Sequence, residues 1–299
     1  MKDTLKYFTL MTAAALILAS CSANGKKSDA YGNFEADEII VSSQANGLIG
    51  FLNIAEGNTV PAGVVVGAVD TVQLVLKISQ LKIQKDIIRS KRQNIEAQME
   101  VVKEQKANAE HDLGIFTNLL KGSAATQKQV DDITAQINVF DKQIRSISTQ
   151  GTSIKDELRS ADIQIDQIKD QIEKCYIRNP IDGTVLTKYA NAGEITAFSK
   201  PLYKIAGLSE IFLKVYISGD QISSIKLGDS AEVMIDSAVG AIKKFEGTVS
   251  WISDKAEFTP KIIQTKAERV NLVYAVKIKV KNDGSLKIGM PGEANFNAK

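Results

Sequence analysis

Few residues in this chain have side chains suited to chemistry. The 299 residues include two cysteines, Cys21 and Cys175, and a single histidine, His111. This supply is too small for a His/Cys metal site, which needs several such ligands close together. The Gly228-Asp229-Ser230 segment lacks the Gly-x-Ser-x-Gly pattern of a nucleophile elbow, and a turn explains it. We therefore predict no catalytic site, no metal site, no cofactor and no enzymatic activity.

Cys21 is the exception, because its surroundings are those of a modification site. Lys2 and Lys6 precede an apolar run at residues 8–18, and small residues lie just before Cys21. This is the layout of a secretory signal, and the run is shorter than the roughly 20 residues that span a bilayer. The order Leu18-Ala19-Ser20-Cys21 resembles the bacterial lipobox, which implies cleavage before Cys21 and lipid attachment to its sulfur. An ordinary signal peptide with an incidental cysteine is the alternative.

The composition excludes several classes of protein. The 37 lysines and arginines balance 35 aspartates and glutamates, giving a net charge of +2. There is no basic excess of the kind that nucleic-acid binding needs, and no acidic excess typical of disorder. With Cys21 lipidated, Cys175 has no intramolecular disulfide partner, so packing must hold the fold. We assign residues 1–20 to the signal peptide and residues 21–33 to a flexible tether.

Two segments of nearly equal length carry a heptad pattern. Apolar or long side chains recur at alternating steps of four and three residues over 74–120 and 130–175. A 3.5-residue repeat held this long is typical of a coiled coil. A short break containing Gly122 separates the segments, and no proline interrupts either one. Matched runs with a short break fold back as an antiparallel hairpin, which we place at residues 73–176.

Three long cationic side chains occupy seam positions in the first heptad segment: Lys85, Arg92 and Lys106. Snorkelling, in which the stem packs and the charged head reaches water, is the favoured interpretation. The alternative is that these side chains fix the register against the second helix or meet a partner helix. Pairing the two segments places Arg89 near Asp162, as a weak check on the register.

The sequences on either side of the hairpin resemble each other. In residues 47–70 and again in residues 183–206, a glycine opens an apolar strand and a second glycine follows ten positions later, at Gly57 and Gly193. Glycine suits a tight turn or a positive φ, and further β-rich sequence follows each turn. Two such half-motifs can interlock as one small sandwich split by the hairpin. We assign residues 34–72 to a first strand and the first half-motif, and residues 177–207 to the second.

Short alternating strands dominate the rest of the chain. Turns containing glycine, aspartate and serine separate these strands between residues 208 and 258, which predicts a small antiparallel β-barrel. Further strands follow in residues 259–299. We expect them to pair with an earlier strand near residues 34–41 and to form a separate β region.

The ordered whole resembles the periplasmic adaptor, or membrane-fusion, family, which includes the haemolysin-D-type secretion proteins. The half-motifs look like the halves of a lipoyl domain, and residues 177–185 are similar to the signature entering its second half. Residues 257–269 and 289–292 look most like adaptors of ABC-type exporters, in lipoprotein form. The implied fold is mixed α and β: a long antiparallel coiled-coil hairpin inserted in a lipoyl-like β-sandwich, followed by a small β-barrel and a membrane-proximal β region.

The resemblance implies a function without chemistry. The chain would be the adaptor of a tripartite efflux or secretion system, bridging an inner-membrane transporter of ABC type to an outer-membrane channel. It would form a homo-oligomeric ring, a hexamer, in the periplasm of a Gram-negative bacterium, held to the inner membrane by the lipid on Cys21. Phe258, Pro260 and Lys261 would lie close to the transporter.

Three other functions remain as alternatives to this one. The chain could be the adaptor of a proton-driven efflux pump, or a structural coiled-coil lipoprotein of the envelope. A lipoyl or biotinyl carrier is a third alternative, but the hairpin replaces the turn that would present the carrier lysine.

Adaptors of this family meet the channel through a tip pattern of Arg, Leu and Ser around the helical break. The matching residues here are Ile115, Leu119 and Thr126. Leu119 fits the pattern, Thr126 keeps a hydroxyl in place of serine, and Ile115 lacks the arginine charge. The expected tip contact is therefore apolar.

Overall fold

The computed structural model describes residues 28–236, 242–258 and 272–296. These residues form two compact units, one made of residues 40–205 and the other of the chain before and after it. The first unit contains a β-sandwich and a helical hairpin, and the second contains a β-barrel. The mixed α and β fold class predicted from the sequence is confirmed.

The elements described below follow one another along the chain. In chain order they are β1 (Ala30–Glu35), β2 (Glu38–Ser42), β3 (Gly47–Leu52), β4 (Thr59–Val60), β5 (Val65–Val69), α1 (Val72–Lys121), α2 (Gln127–Cys175), β6 (Tyr176–Arg178), β7 (Gly183–Lys188), β8 (Ile195–Thr196), β9 (Pro201–Ala206), β10 (Glu210–Ser218), β11 (Ser230–Asp236), β12 (Ile242–Ile252), β13 (Glu257–Phe258), β14 (Leu272–Lys281) and β15 (Pro291–Phe296).

The sandwich is built from both half-motifs. One sheet has the strand order β2-β9-β7-β4 and the other has the order β6-β5-β3-β8, so each sheet mixes strands from both sides of the hairpin. The turn glycines have φ values of 85° at Gly57 and 87° at Gly193, as the repeat predicts. The Gly57 amide donates to the Val185 carbonyl and the Gly193 amide donates to the Ile49 carbonyl, both at 2.8 Å. The internal repeat is therefore an interlocked pair.

A buried asparagine joins the two halves of the sandwich. The Asn179 side chain is 1% exposed, and its amide nitrogen donates to the carbonyl oxygens of Val60, Pro61 and Ile181 at 2.6–3.0 Å. Its amide oxygen accepts a 3.0 Å hydrogen bond from the Tyr203 hydroxyl. Burial raises the pKa of Tyr203 to about 12, which keeps this hydroxyl protonated as a donor. Every polar atom of the buried amide group thus has a partner.

Helices α1 and α2 form the predicted antiparallel hairpin. They contain 50 and 49 residues, so each extends for about 75 Å. We call residues 72–95 and 151–175 the basal half, and residues 96–121 and 127–150 the distal half. Within these two helices, which the structure describes completely, Ala109 is the only buried residue in the distal half. The basal half contains the others, namely Leu81, Ile88, Ile154, Ala161, Ile165 and Cys175.

Two seam lysines form ion pairs that link the helices of the hairpin. Lys85 forms an ion pair with Asp162, and Lys106 forms one with Asp141 at 2.7 Å. The lysines are 21 residues apart in α1 and the aspartates are 21 residues apart in α2, which is three heptads in each helix. Both lysines therefore pair across the hairpin in one common register, as the alternative interpretation of these seam cations expects.

The two other cations in question pair within their own helix. Arg92 contacts Glu96 at 3.2 Å, and Arg89 contacts Asp86 at 3.0 Å. The expected proximity of Arg89 to Asp162 is thus off by one helical turn, because Lys85 takes that carboxylate.

The barrel closes with strands from both ends of the chain. Its strands follow the order β10-β1-β15-β11-β12-β14, and β14 pairs back to β10. Strand β1 pairs with β15 through Ala30 opposite Ala294, slightly before the expected 34–41 segment. The strands within residues 272–296 therefore belong to the barrel, which corrects the prediction of a separate β region over residues 259–299. Without β14 and β15, several barrel strands would have unpaired edges.

Candidate partner-binding site at the hairpin tip

The backbone reverses direction at the hairpin tip through a short, hydrogen-bonded turn. Helix α1 ends at Lys121, and Ser123 follows with a φ of 56°, in the left-handed region. The Ala124 amide donates to the Leu119 carbonyl at 2.8 Å, which satisfies one of the last free carbonyls of the helix. The tip is therefore an ordered turn that holds the ends of both helices.

Ile115 and Leu119 form an exposed apolar pair beside this turn. They are four residues apart on one face of α1, and their side chains are 45% and 40% exposed. Phe116 and Leu120, which the heptad pattern assigns to the seam, are half-buried. Because Phe116 and Leu120 fill the heptad seam, Ile115 and Leu119 lie outside it, and the tip presents these two aliphatic side chains to solvent. This arrangement suits apolar contact with a partner.

Thr126 begins the second helix by capping it. Its hydroxyl oxygen accepts a hydrogen bond from the Gln129 amide, and the Gln129 side chain accepts one from the Thr126 amide at 2.8 Å. This reciprocal arrangement is a capping box. The Thr-x-x-Gln signal was present in the sequence and was missed there. Helix capping explains why a hydroxyl is present at this position. A role of Thr126 in partner contact stays a prediction.

The sites predicted elsewhere on the chain are partly outside the described residues. Phe258 lies in β13, where it is paired with Leu272, and its side chain is 80% exposed. Pro260 and Lys261 lie outside the described residues, as does Cys21. The structure therefore shows one of the three predicted transporter-proximal residues, and it is strongly exposed.

The described residues contain little that could support chemistry. In residues 28–236, 242–258 and 272–296, no group of three or more His, Cys, Asp or Glu side chains could hold a metal ion. Cys175 is a buried free thiol, and desolvation raises its pKa, so it is poorly suited to act as a nucleophile. Over the same ranges, each helix is too short or too polar to cross a bilayer.

Sequence comparison relates part of the chain to curated membrane proteins. A comparison with protein-family models gives no match. The chain is 34% identical over 113 residues to the UPF0194 membrane protein in the asrC 5′ region of Acidithiobacillus ferridurans, covering 38% of this chain and 33% of that protein. It is 31% identical over 118 residues to a UPF0194 membrane protein of Yersinia pseudotuberculosis, covering 39% and 35%. The matches thus span about a third of these relatives.

Structural comparison covers almost the whole chain. MacA from Actinobacillus actinomycetemcomitans superposes with a TM-score of 0.60 at 19% identity, over 89% of this chain and 76% of that one. The membrane fusion protein Spr0693 from Streptococcus pneumoniae R6 superposes with a TM-score of 0.52 at 17% identity, over 90% and 98%. The chain therefore has the fold of the membrane fusion, or periplasmic adaptor, proteins.

Proposed function

We propose that this protein is a lipid-anchored periplasmic adaptor that connects an inner-membrane transporter to an outer-membrane channel. The observation that carries the proposal is the architecture. A split sandwich holds both ends of a long hairpin, a closed barrel accompanies it, and the whole superposes on MacA over 89% of the chain. In this role the chain would carry out no chemical reaction itself. It would couple the transporter to the channel and seal the connection between them.

The hairpin supplies the distance and the contact that an adaptor requires. Each helix extends for about 75 Å, and the ordered tip exposes Ile115 and Leu119 at its end. Burying these two aliphatic side chains against a channel would stabilise the contact by about 2 kcal/mol. The absence of a charged residue at Ile115 fits an apolar contact.

The anchor and the transporter contact are assigned to opposite ends of the sequence. The lipobox-like sequence supports lipidation of Cys21, which would hold the chain in the periplasm at the inner membrane of a Gram-negative bacterium. Phe258, with Pro260 and Lys261, would face the transporter. We assign that transporter to the ABC type because residues 257–269 resemble the adaptors of such exporters. The adaptor would work as a ring of identical copies, a hexamer, and energy would come from the transporter.

The test is photo-crosslinking in living cells with a probe at each end. A photoreactive residue at Ala124 samples the tip without disturbing the Thr126 cap, and one at Phe258 samples the barrel. We expect the Ala124 adduct to contain an outer-membrane channel and the Phe258 adduct to contain an ABC-type permease. A proton-driven pump in the Phe258 adduct would replace the transporter assignment. Adducts only with envelope lattice components would favour the structural lipoprotein and overturn the adaptor function.

Two aspartate variants show whether the apolar pair makes the tip contact. Leu119→Asp should remove the Ala124 adduct, because a carboxylate cannot be desolvated against an apolar surface without a large free-energy cost. Val101→Asp introduces the same charge at an exposed valine of the same helix, away from the tip, and should leave the adduct intact. An unchanged adduct in Leu119→Asp would remove Leu119 from the proposed site.

A further inference from the structure

We infer that the outer wall of the β-barrel carries a docking surface for an anionic phospholipid membrane. The inference rests on the proposed lipid anchor at Cys21 and adds a second contact between the chain and the same membrane. The surface lies on the neighbouring strands β12, β14, β10 and β1, and it combines aromatic rings with lysines. We call the following six residues the barrel patch: Tyr31, Phe212, Lys214, Tyr216, Trp251 and Lys277.

The strand register brings the members of the barrel patch together on one face. Trp251 and Lys277 are cross-strand partners, and Lys214 is the partner of Lys277 on its other side. Tyr31 and Tyr216 form a third such pair. Partners in an antiparallel pair point to the same side of the sheet, with Cβ atoms about 5 Å apart. The residues that alternate with them along β10 are buried in the barrel core, so the barrel patch points outward.

The aromatic rings of the barrel patch are open to solvent. Tyr31 is 52% exposed and Trp251 is 40% exposed, whereas Phe212 and Tyr216 are half-buried. A contiguous exposed set of large apolar side chains indicates a contact surface, while single exposed side chains do not. Tyrosine and tryptophan are enriched where a bilayer meets water, because the ring is apolar and its hydroxyl or N–H group stays hydrated. The composition of the barrel patch therefore suits the headgroup region of a bilayer.

The lysines of the barrel patch lie against these rings. Lys277 Nζ is 5.9 Å from the centre of the Trp251 ring and 5.8 Å from the centre of the Phe212 ring. Lys214 Nζ is 5.6 Å from the centre of the Tyr216 ring. These distances lie within the range of cation–π attraction. The rings thus hold both ammonium groups beside an apolar surface, which is the position of a lysine that reaches lipid headgroups from the membrane interface.

The two lysines form a like-charge pair on the outer wall. Lys214 and Lys277 are direct cross-strand partners, an arrangement that destabilises a sheet. Lys277 pairs with Glu35 at 2.6 Å, but Lys214 has no ion pair among the described residues. An anionic group from outside the chain would be attracted by both ammonium groups, and anionic phospholipids present such groups across a whole surface. The charge therefore favours an anionic membrane as the occupant.

The anchored end of the chain lies beside the barrel patch. Seven residues separate Cys21 from Ser28, and seven residues reach at most about 25 Å. The next residue, Asp29, is held to the last strand of the barrel, because its amide donates to the Asn295 side chain and its carboxylate accepts from the Phe296 amide. Strand β1, with Tyr31, begins at this point. A lipid on Cys21 would therefore keep the barrel patch within reach of the membrane surface.

The barrel patch and the proposed transporter contact use different parts of the barrel. Phe258 is paired with Leu272, which lies five residues before Lys277 in β14, or about 16 Å along the strand. A membrane contact through the barrel patch thus leaves Phe258 available for the transporter.

The test uses Trp251 as a built-in probe, since it is the only tryptophan of the chain. The mature lipidated chain is reconstituted in vesicles of phosphatidylcholine, or of an equimolar mixture with phosphatidylglycerol, with bromine on the acyl chains. We expect Trp251 fluorescence to be quenched and its emission to shift to shorter wavelength only in the mixture. Equal quenching in phosphatidylcholine alone would overturn the recognition of anionic lipid. Absence of quenching in both vesicles would overturn the docking surface.

One charge reversal separates docking from a purely structural role of the lysines. Lys214→Glu places a carboxylate opposite Lys277, so it should raise the resistance of the barrel to denaturant while lowering the ratio of docked to undocked chains about tenfold. Lys287→Glu makes the same change of charge at an exposed position in the loop before β15, outside the barrel patch, and should leave the quenching unchanged. Unchanged quenching in Lys214→Glu would contradict the inference.

A photoreactive residue at Tyr31 identifies the occupant in living cells. We expect phospholipid adducts, and adducts with protein alone, whether a transporter or a second copy of the chain, would overturn the lipid contact. Sedimentation of the vesicles separates this inference from the proposed anchor. A chain that stays on the vesicles without quenching of Trp251 would overturn the barrel patch alone. A chain that stays on neither kind of vesicle would remove the lipid anchor of the proposed function, and the inference with it.

Discussion

The β-sandwich and the hairpin belong to one unit but are stabilised differently. In the sandwich, Ile49, Leu202 and Ile205 are wholly buried, and the Asn179 side chain makes four hydrogen bonds, of which those to Val60 and Pro61 join the two halves. In the hairpin, most seam residues remain partly exposed. A two-helix coil cannot enclose a core, because each helix has one neighbour only. The sandwich can therefore stand on its own packing, whereas the hairpin depends on its base, its tip cap and any partner.

The largest expected effect comes from removing the buried side chain of Asn179 in the sandwich. Asn179→Ala leaves three carbonyl oxygens and the Tyr203 hydroxyl without their partner, and should lower the free energy of unfolding by about 3 kcal/mol. Denaturant unfolding, followed by the far-UV circular dichroism of the β-strands, measures this change in the free energy of unfolding. Asn191→Ala removes an exposed asparagine of the same unit with one 3.2 Å hydrogen bond, and should change stability by less than about 0.5 kcal/mol. Equal effects of the two substitutions on stability would contradict a stabilising role of the Asn179 hydrogen bonds.

A matched pair of isoleucines in α2 tests the difference between the hairpin halves. Ile154 packs in the buried basal cluster with Ile88 and Ala161, whereas Ile137 lies in the distal half and is partly exposed. Ile154→Ala should lower the local unfolding free energy by about 2 kcal/mol, and Ile137→Ala by less than about 1 kcal/mol. Amide hydrogen exchange along α2 measures both. A larger effect at Ile137 would show that the distal half is the better packed.

The smallest effect concerns the cap at the tip. Thr126→Ala removes the capping hydroxyl and should destabilise the first turn of α2 by about 1 kcal/mol, seen as faster exchange of the Gln129 amide. Thr134→Ala removes an exposed hydroxyl that only bonds back to the Val130 carbonyl within the helix. It should leave the turn unchanged, since alanine is the better helix former. Equal protection of Gln129 in the Thr126 variant would contradict a capping role.

Sequence patterns within short segments predicted the features that depend on local backbone geometry. The heptad repeat predicted two long helices, and the paired glycines predicted the turns at Gly57 and Gly193, because periodicity and φ are properties of short segments. The Thr126 cap had a sequence signal of the same kind. Leu119 and Ile115 could be placed at the tip because the heptads end there, and their exposure follows from their position outside the seam.

Pairings between distant segments were decided only by the tertiary structure. The closure of the barrel by β14 and β15, the four partners of Asn179 and the choice of Lys85 over Arg89 for Asp162 all depend on which residues meet across the fold. Lys85 and Arg89 lie one helical turn apart, so the packing of the two helices decides which of them meets Asp162. The sequence by itself thus determined the elements and their order, and tertiary packing decided their edges, their register and which isoleucines stay exposed.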